Sequence, residues 1–296
     1  MNATMTYALV TLSALFWGAN FALAGPVLAD LPPLWAAALR FSLATLVMLA
    51  LVAWRSEDLM APLRRHAWTY ALLGAVGIGG FNLLFFFALQ TTSAANGALI
   101  MATNPLVTTA LAAVLLGETA SRRQLATMPI ALIGVAAVIS GGDPQRLLHM
   151  QVARGDALMI GADVTWAFYN ILVRRYLPSG SAVANTTLVM TAGMLLLLAV
   201  AMGGGESVHI PGIKAAIALA TMVVGGTVLA YLFWNMGIAR LGAGRTSLFL
   251  NLVPVFAMLV GGLLGTIPSE IQVIGGLMVI GAVSIAMLPS RRLAAG

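Results

Sequence analysis

The chain of 296 residues contains no cysteine. Disulfides, thiolate metal sites and cysteine nucleophiles are therefore excluded, and the redox compartment is left undetermined. Charge is the second shortage: Asp, Glu, Lys and Arg make up 8% of positions, where a soluble domain carries about 25%. Such a chain cannot cover itself with a water-compatible surface. Histidine occurs three times, as His66, His149 and His209, each in a polar break between apolar runs. No HExxH or other metal-ligand cluster occurs, and no Gly-rich phosphate loop, so neither metal chemistry nor direct ATP drive is expected. The single lysine, Lys214, lies at the edge of an apolar run, which disfavours a Ser–Lys dyad and an intramembrane enzyme with it. No cofactor is expected. The net charge of +6 is not gathered into a basic block, so nucleic acid is not an expected partner.

What remains is hydrophobic: 60% of positions. Apolar runs long enough to cross a bilayer are placed near 7–28, 34–54, 68–89, 94–116, 124–141, 156–173, 184–202, 213–238, 246–265 and 271–289. The expected class is an all-α integral membrane protein of ten spans. The apolar run in residues 1–24 is preceded by no Lys or Arg and is long enough to span, which disfavours a cleaved signal peptide. The break at 240–245 is short and Gly-rich.

Lys and Arg fall unevenly between the two sides. The side of the N-terminus holds eleven: Arg55, Arg64, Arg65, Arg122, Arg123, Arg174, Arg175, Arg240, Arg245, Arg291 and Arg292. The other holds Arg146, Arg154 and Lys214. Cytoplasmic loops carry such an excess, so both termini are expected in the cytoplasm of a multi-pass plasma (inner) membrane protein. Trp35, Trp54, Trp68 and Trp234 lie near predicted span ends and are expected to be interfacial anchors. The GxxxG from Gly261 to Gly265 is expected to serve close helix packing, with dimerisation a weaker alternative. Oligomeric state is not determined.

The chain repeats itself. Trp17 and Trp166 are 149 positions apart, as are Pro105 and Pro254. Gly79-Gly80 is matched by Gly225-Gly226, and Leu116-Gly117-Glu118 loosely by Leu264-Gly265-Thr266. Two repeats are expected, over 1–145 and 150–296. Each holds five spans, an odd number, so the second must enter the membrane inverted. Inverted repeats characterise transporters that hold substrate near the midplane between the halves.

Several residues could do so. Trp17, Asn20, Phe21 and Ala24 share one helix face by their spacing, as do Trp166, Tyr169 and Asn170. Asn82 with Phe85 and Phe86 makes another, and Tyr231 with Asn235 is its counterpart. Aromatic walls with amides beside them suit an amphipathic organic solute. Asn104 and Asn251 add amides, and for every such Asn interhelical hydrogen bonding is as good a reading as substrate contact. Pro105 and Pro254 would loosen the carbonyls of Met101 and Leu250 and so offer acceptors, a hinge, or only a structural kink. Arg40 and Asp163 lie inside spans at similar depth, where an ion pair between them is a natural expectation. Snorkelling to the outer surface, proton coupling through Asp163 and recognition of a substrate amine by Asp163 are the alternatives.

At these residues the chain resembles a known family. Trp17-Gly18-x-Asn20-Phe21, Arg40-Phe41, Asn104-Pro105, Leu116-Gly117-Glu118 and Ala230-Tyr231-x-x-Trp234-Asn235-x-Gly237 are similar to the drug/metabolite transporter superfamily. More narrowly they resemble its ten-helix EamA-type exporters, which include the YddG-type aromatic amino-acid exporters. Thr266 departs from the pattern, since many second copies carry Glu there. The resemblance implies a secondary transporter that exports small amphipathic metabolites by alternating access, with aromatic or hydrophobic amino acids favoured. Drugs or purine-like solutes are the alternative, and a channel is a different class.

Overall fold

A computed structural model describes residues 2–288 apart from 93, 142, 144, 146–153, 208, 209 and 266. Thr266, His149, His209, Arg146, Arg291 and Arg292 lie outside the described residues. Among the described residues the regular structure is helical throughout.

The elements follow the apolar runs. Helices α1 (Ala3–Asp30), α2 (Pro33–Trp54) and α3 (Met60–Leu89) lead into α4, which has two segments, Ala94–Met101 and Asn104–Leu116. After these come α5 (Arg122–Ser140), α6 (Arg154–Tyr176) and α7 (Ala182–Gly203). The last three are α8 (Ile213–Leu241), α9 (Ala243–Leu263) and α10 (Glu270–Met287). Local chemistry sets many of the ends. Ser121 and Ser269 open α5 and α10 with capping boxes completed by Gln124 and Gln272, which satisfy amides that a helix N-terminus leaves free. Gly242 turns the chain between α8 and α9 at φ +88°, a conformation open to glycine at no steric cost.

Among the described residues, nine of these helices are long and apolar enough to cross a membrane, one fewer than expected. The exception is α6. Its 23 residues reach about 34 Å at 1.5 Å per residue, enough for a bilayer. However, Arg154, Asp156, Asp163, Arg174 and Arg175 bring its mean hydropathy down.

Two helices are wound unevenly. Ala75–Gly80 in α3 and Met222–Leu229 in α8 are π-helical. π-Turns inside α-helices occur mostly at functional sites, and here each receives a side chain from another helix. A Cβ on Gly77 would sit 2.0 Å from the Tyr169 ring, and one on Gly226 would sit 2.2 Å from the Asn20 amide oxygen. Tyr169 follows Asn20 by 149 positions, and Gly226 follows Gly77 by the same number. The same close contact is thus made twice, each time between the two segments of the sequence.

Close helix approach is also glycine-mediated between α5 and α10. Cβ atoms on Gly134 and Gly275 would each lie 2.7 Å from the other's carbonyl oxygen. The expected GxxxG is not such a seam. Helix α9 ends at Leu263, and Gly265 stands beyond it at φ +101° with nothing around its Cβ position.

Candidate functional site

The helices enclose a cavity of about 330 Å³. Its lining includes Trp17, Asn20, Phe21 and Ala24, the face read from α1. Asn82, Phe85 and Phe86 of α3, Met101 of α4, Trp166 of α6 and Tyr231 of α8 are also in the wall. Pro254 and Leu250 contribute from α9. Helix α2 supplies Ala36, Ala37 and Arg40, so seven helices take part. The wall runs from mid-bundle toward the α1–α2 turn, where Leu28 is exposed.

The aromatic side chains form one cluster. Trp17 meets Trp166 edge-on at 5.5 Å between centroids and Tyr231 at 6.0 Å. Trp166 lies 5.0 Å from Phe81, which stacks on Phe85 at 5.6 Å. Phe81 was missed from sequence, although its spacing of four from Phe85 puts both on one helix face. Trp234 was misplaced. It is fully buried, 4.9 Å from Trp17, and its Nε1 donates to Asn170 Oδ1 at 2.9 Å. Its distance along the sequence from the end of α8 is that of an interfacial residue, but its face of the helix points inward. By contrast Trp54, at the end of α2, and Trp68, two residues past the kink at His66 in α3, are strongly exposed.

Polar groups in the wall are few, and three of their atoms lack partners. Asn20 Oδ1, Arg40 Nε and Trp166 Nε1 are buried with no hydrogen bond. Arg40 donates through Nη2 to Asn82 Oδ1 at 3.1 Å, and Asn82 Nδ2 donates to the Ile78 carbonyl at 2.7 Å. The lining contains no Asp or Glu. The expected ion pair between Arg40 and Asp163 is not made, because each finds a neutral partner nearer to hand.

Asp163 belongs to a second network behind the wall. Asn104 Nδ2 donates to its Oδ1 at 3.0 Å and to its backbone carbonyl at 2.9 Å. Thr108 Oγ1 donates to Asn104 Oδ1 at 2.9 Å, and Asn170 Nδ2 approaches Thr108 at 3.5 Å. Tyr169 donates to Asn235 Oδ1 at 2.8 Å. Asn104, Tyr169, Asn170 and Asn235 therefore tie helices together and stand outside the cavity wall. Asn251 is also outside it, with a buried Oδ1 that has no partner. Pro105 opens the second segment of α4, after a break at Ala102–Thr103. Pro254 follows a 3₁₀ stretch at Leu248–Asn251. Both prolines thus sit just past irregular turns, and Met101 and Leu250 of those turns face the cavity.

No group of His, Asp and Glu able to hold a metal is found among the described residues. A largely apolar cavity with a few convergent polar groups is how a site for a small organic molecule is built.

The fold and this cavity define a multi-pass membrane transporter. The model of the EamA-like transporter family matches residues 4–140 and again 153–288, and the chain belongs to that family. It is 38% identical over 269 residues to the uncharacterized transporter YyaM of Bacillus subtilis, covering 90% of this chain and 88% of that protein. The "probable amino-acid metabolite efflux pump" of Salmonella typhimurium is 25% identical, covering 94% of this chain and 93% of that one. A "probable terminal-alkyne amino-acid exporter" of Streptantibioticus cattleyicolor is also 25% identical, over 78% of this chain and 75% of that one. A solved crystal structure with 21% identity superposes with a TM-score of 0.82 over 99% of this chain and 100% of that one, which supports the fold.

Proposed function

We propose that the protein is a carrier that exports small zwitterionic amphipathic solutes, aromatic and hydrophobic amino acids foremost. The observation that carries this is the makeup of the cavity. One guanidinium and an indole N–H offer donors to a carboxylate, the unpartnered Asn20 Oδ1 offers an acceptor to an ammonium, and aromatic rings surround them. A buried polar atom without a partner costs free energy, and a ligand bearing the complementary group relieves that cost. At about 330 Å³ the space is at the lower end of small-molecule sites. That suits a solute of amino-acid size.

The same proposal takes α6 as the tenth span, with its charged residues at the ends and Asp163 satisfied internally by Asn104. The family model's two matches and the twice-made glycine contact support two inverted repeats over 1–145 and 150–296. The arginine asymmetry supports cytoplasmic termini, and the cavity then faces outward. Rocking of the repeats about the irregular turns at Pro105 and Pro254 would expose it to the other side, as alternating access requires. No chemical step is assigned to the chain.

Counterflow in proteoliposomes tests the reading. L-phenylalanine and L-methionine are expected to exchange saturably, while phenethylamine, a cation without a carboxylate, does not. Exchange of a cationic drug with no amino acid exchanging overturns the proposal, and unitary currents in place of saturable exchange make the protein a channel.

A further inference from the structure

At the opposite end of the bundle from the α1–α2 turn lies a second pocket of about 220 Å³. It is built where the end of α4, the end of α6 and the α8–α9 turn converge. Glu118 and Arg174 face it and pair with each other, Arg174 Nε donating to Glu118 Oε1 at 2.9 Å. The pair bridges the two segments matched by the family model. Glu118 also approaches the backbone N–H of Gly244 at 3.5 Å, and Arg174 Nη1 donates to the Ala239 carbonyl at 2.8 Å. Gly242 is required here. A Cβ on it would lie 2.8 Å from the Glu118 carboxylate, and its φ of +88° already favours glycine. Deeper in the pocket, Thr109 is 9% exposed and its Oγ1 has no partner.

We propose that this pocket is a second recognition site for a zwitterion bearing an ammonium and a carboxylate on the same carbon, and that the ligand occupies it by replacing the Glu118–Arg174 pair. The ammonium donates to Glu118, the carboxylate accepts from Arg174, and Thr109 Oγ1 gains a partner. The two side chains retain about a quarter and two-fifths of their exposure, 25% and 39%, and an ion pair so exposed adds little stability. Exchanging it for two ligand-mediated pairs therefore costs little, and it removes one of the links between the end of α4 and the end of α6, the bond from Arg175 Nη1 to the Leu115 carbonyl at 3.3 Å being another. The inference rests on the transport reading in one respect: the ligand is of the class assigned to the cavity.

The absence of cysteine makes the test simple, because a single introduced thiol is the only one in the chain. Thr119 is exposed and lines the pocket. In detergent-solubilised T119C, the rate of alkylation by a maleimide is measured with L-phenylalanine, 3-phenylpropanoate (no ammonium), phenethylamine (no carboxylate) or phosphoethanolamine, the headgroup of a zwitterionic lipid. L-phenylalanine is expected to slow alkylation at least threefold, with the two singly charged analogues without effect. E118Q and R174Q in the T119C background are expected to abolish protection, and R174K, which keeps the cation, to retain it at unchanged monodispersity on gel filtration. R40Q, which alters only the cavity, is expected to leave protection intact. Loss of protection in R40Q overturns the proposal, since the ligand would then act from the cavity. Equal protection by all three phenyl compounds also overturns it, as does no protection by L-phenylalanine. Protection by phosphoethanolamine alone reassigns the pocket to a lipid headgroup and likewise overturns it. Counterflow of L-phenylalanine, measured separately, reports on the transport reading, so either can fail while the other stands.

Discussion

Arg40 is the residue on which stability and function should part. Its Cα lies about 10 Å along α2 from Pro33, at 1.5 Å per residue, and its guanidinium makes one hydrogen bond, to Asn82, with Nε buried and unpartnered. No carboxylate shares the cavity wall. A cation held in that way, half-buried with only the Phe41 ring 5.0 Å away beside it, is partly withdrawn from water without gaining a counter-ion, a fraction of a penalty that is several kcal/mol per ion when complete and about 2.5–3.5 kcal/mol on insertion scales at the centre of a membrane helix. Arg40→Gln keeps a donor for Asn82 and removes the charge. The fold is expected to gain about 1–3 kcal/mol, as a fraction of that penalty. The substrate loses a charge-assisted hydrogen bond of about 1.5–3 kcal/mol, which is a rise of about 10- to 150-fold in half-saturation at 1.4 kcal/mol per decade. Phenethylamine, excluded from the wild-type cavity by the resident cation, should gain exchange. The two assays are thermal unfolding in detergent and counterflow in proteoliposomes. A variant that is less stable than wild type and carries L-phenylalanine with unchanged half-saturation refutes the reasoning, because Arg40 would then be a structural residue that binds nothing.

Other substitutions separate packing from binding. Gly77→Ala drives a methyl into the Tyr169 ring, which is fully buried and fixed by its bond to Asn235; overpacking should cost about 1–3 kcal/mol, read as a lower unfolding temperature. Gly226→Ala meets the end of the Asn20 side chain first, so the fold should hold while amino-acid exchange weakens as that acceptor is pushed aside; unchanged exchange would remove Asn20 from the site. Trp234→Phe leaves Asn170 Oδ1 without its donor and should cost about 1–3 kcal/mol, whereas Trp54→Phe at an exposed helix end should fall within about 0.5 kcal/mol of wild type. Asp163→Asn keeps an acceptor for Asn104 and should leave exchange and its response to an imposed pH gradient unaltered; loss of that response would make Asp163 the coupling group.

The cavity was legible in part because one helix face was. Trp17, Asn20, Phe21 and Ala24 follow helical spacing, and all four line the wall. The amides were not separable in the same way. Asn82 faces the cavity and Asn104 faces Asp163, yet each is an Asn in an apolar run, and periodicity says which residues share a face without saying what that face meets. Trp234 shows the same limit, since distance from a helix end and direction around the helix axis are independent coordinates. Arg40 and Asp163 were matched by depth, but an ion pair also requires facing side chains, and nearer neutral partners were present.

The sequence alone determined that the chain is helical and belongs in a bilayer, because a chain with so few charges and so many long apolar runs has no other solvent in which its surface is stable. It also showed matched Trp, Pro and Gly positions in its two segments, because these are facts of order along the chain. Only the tertiary structure decided which polar groups remain unpaired. Whether Asn20, Arg40 and Trp166 find partners depends on which helices lie across from them, and three atoms left unsatisfied in an aromatic wall are a property of the assembled bundle that no single helix contains.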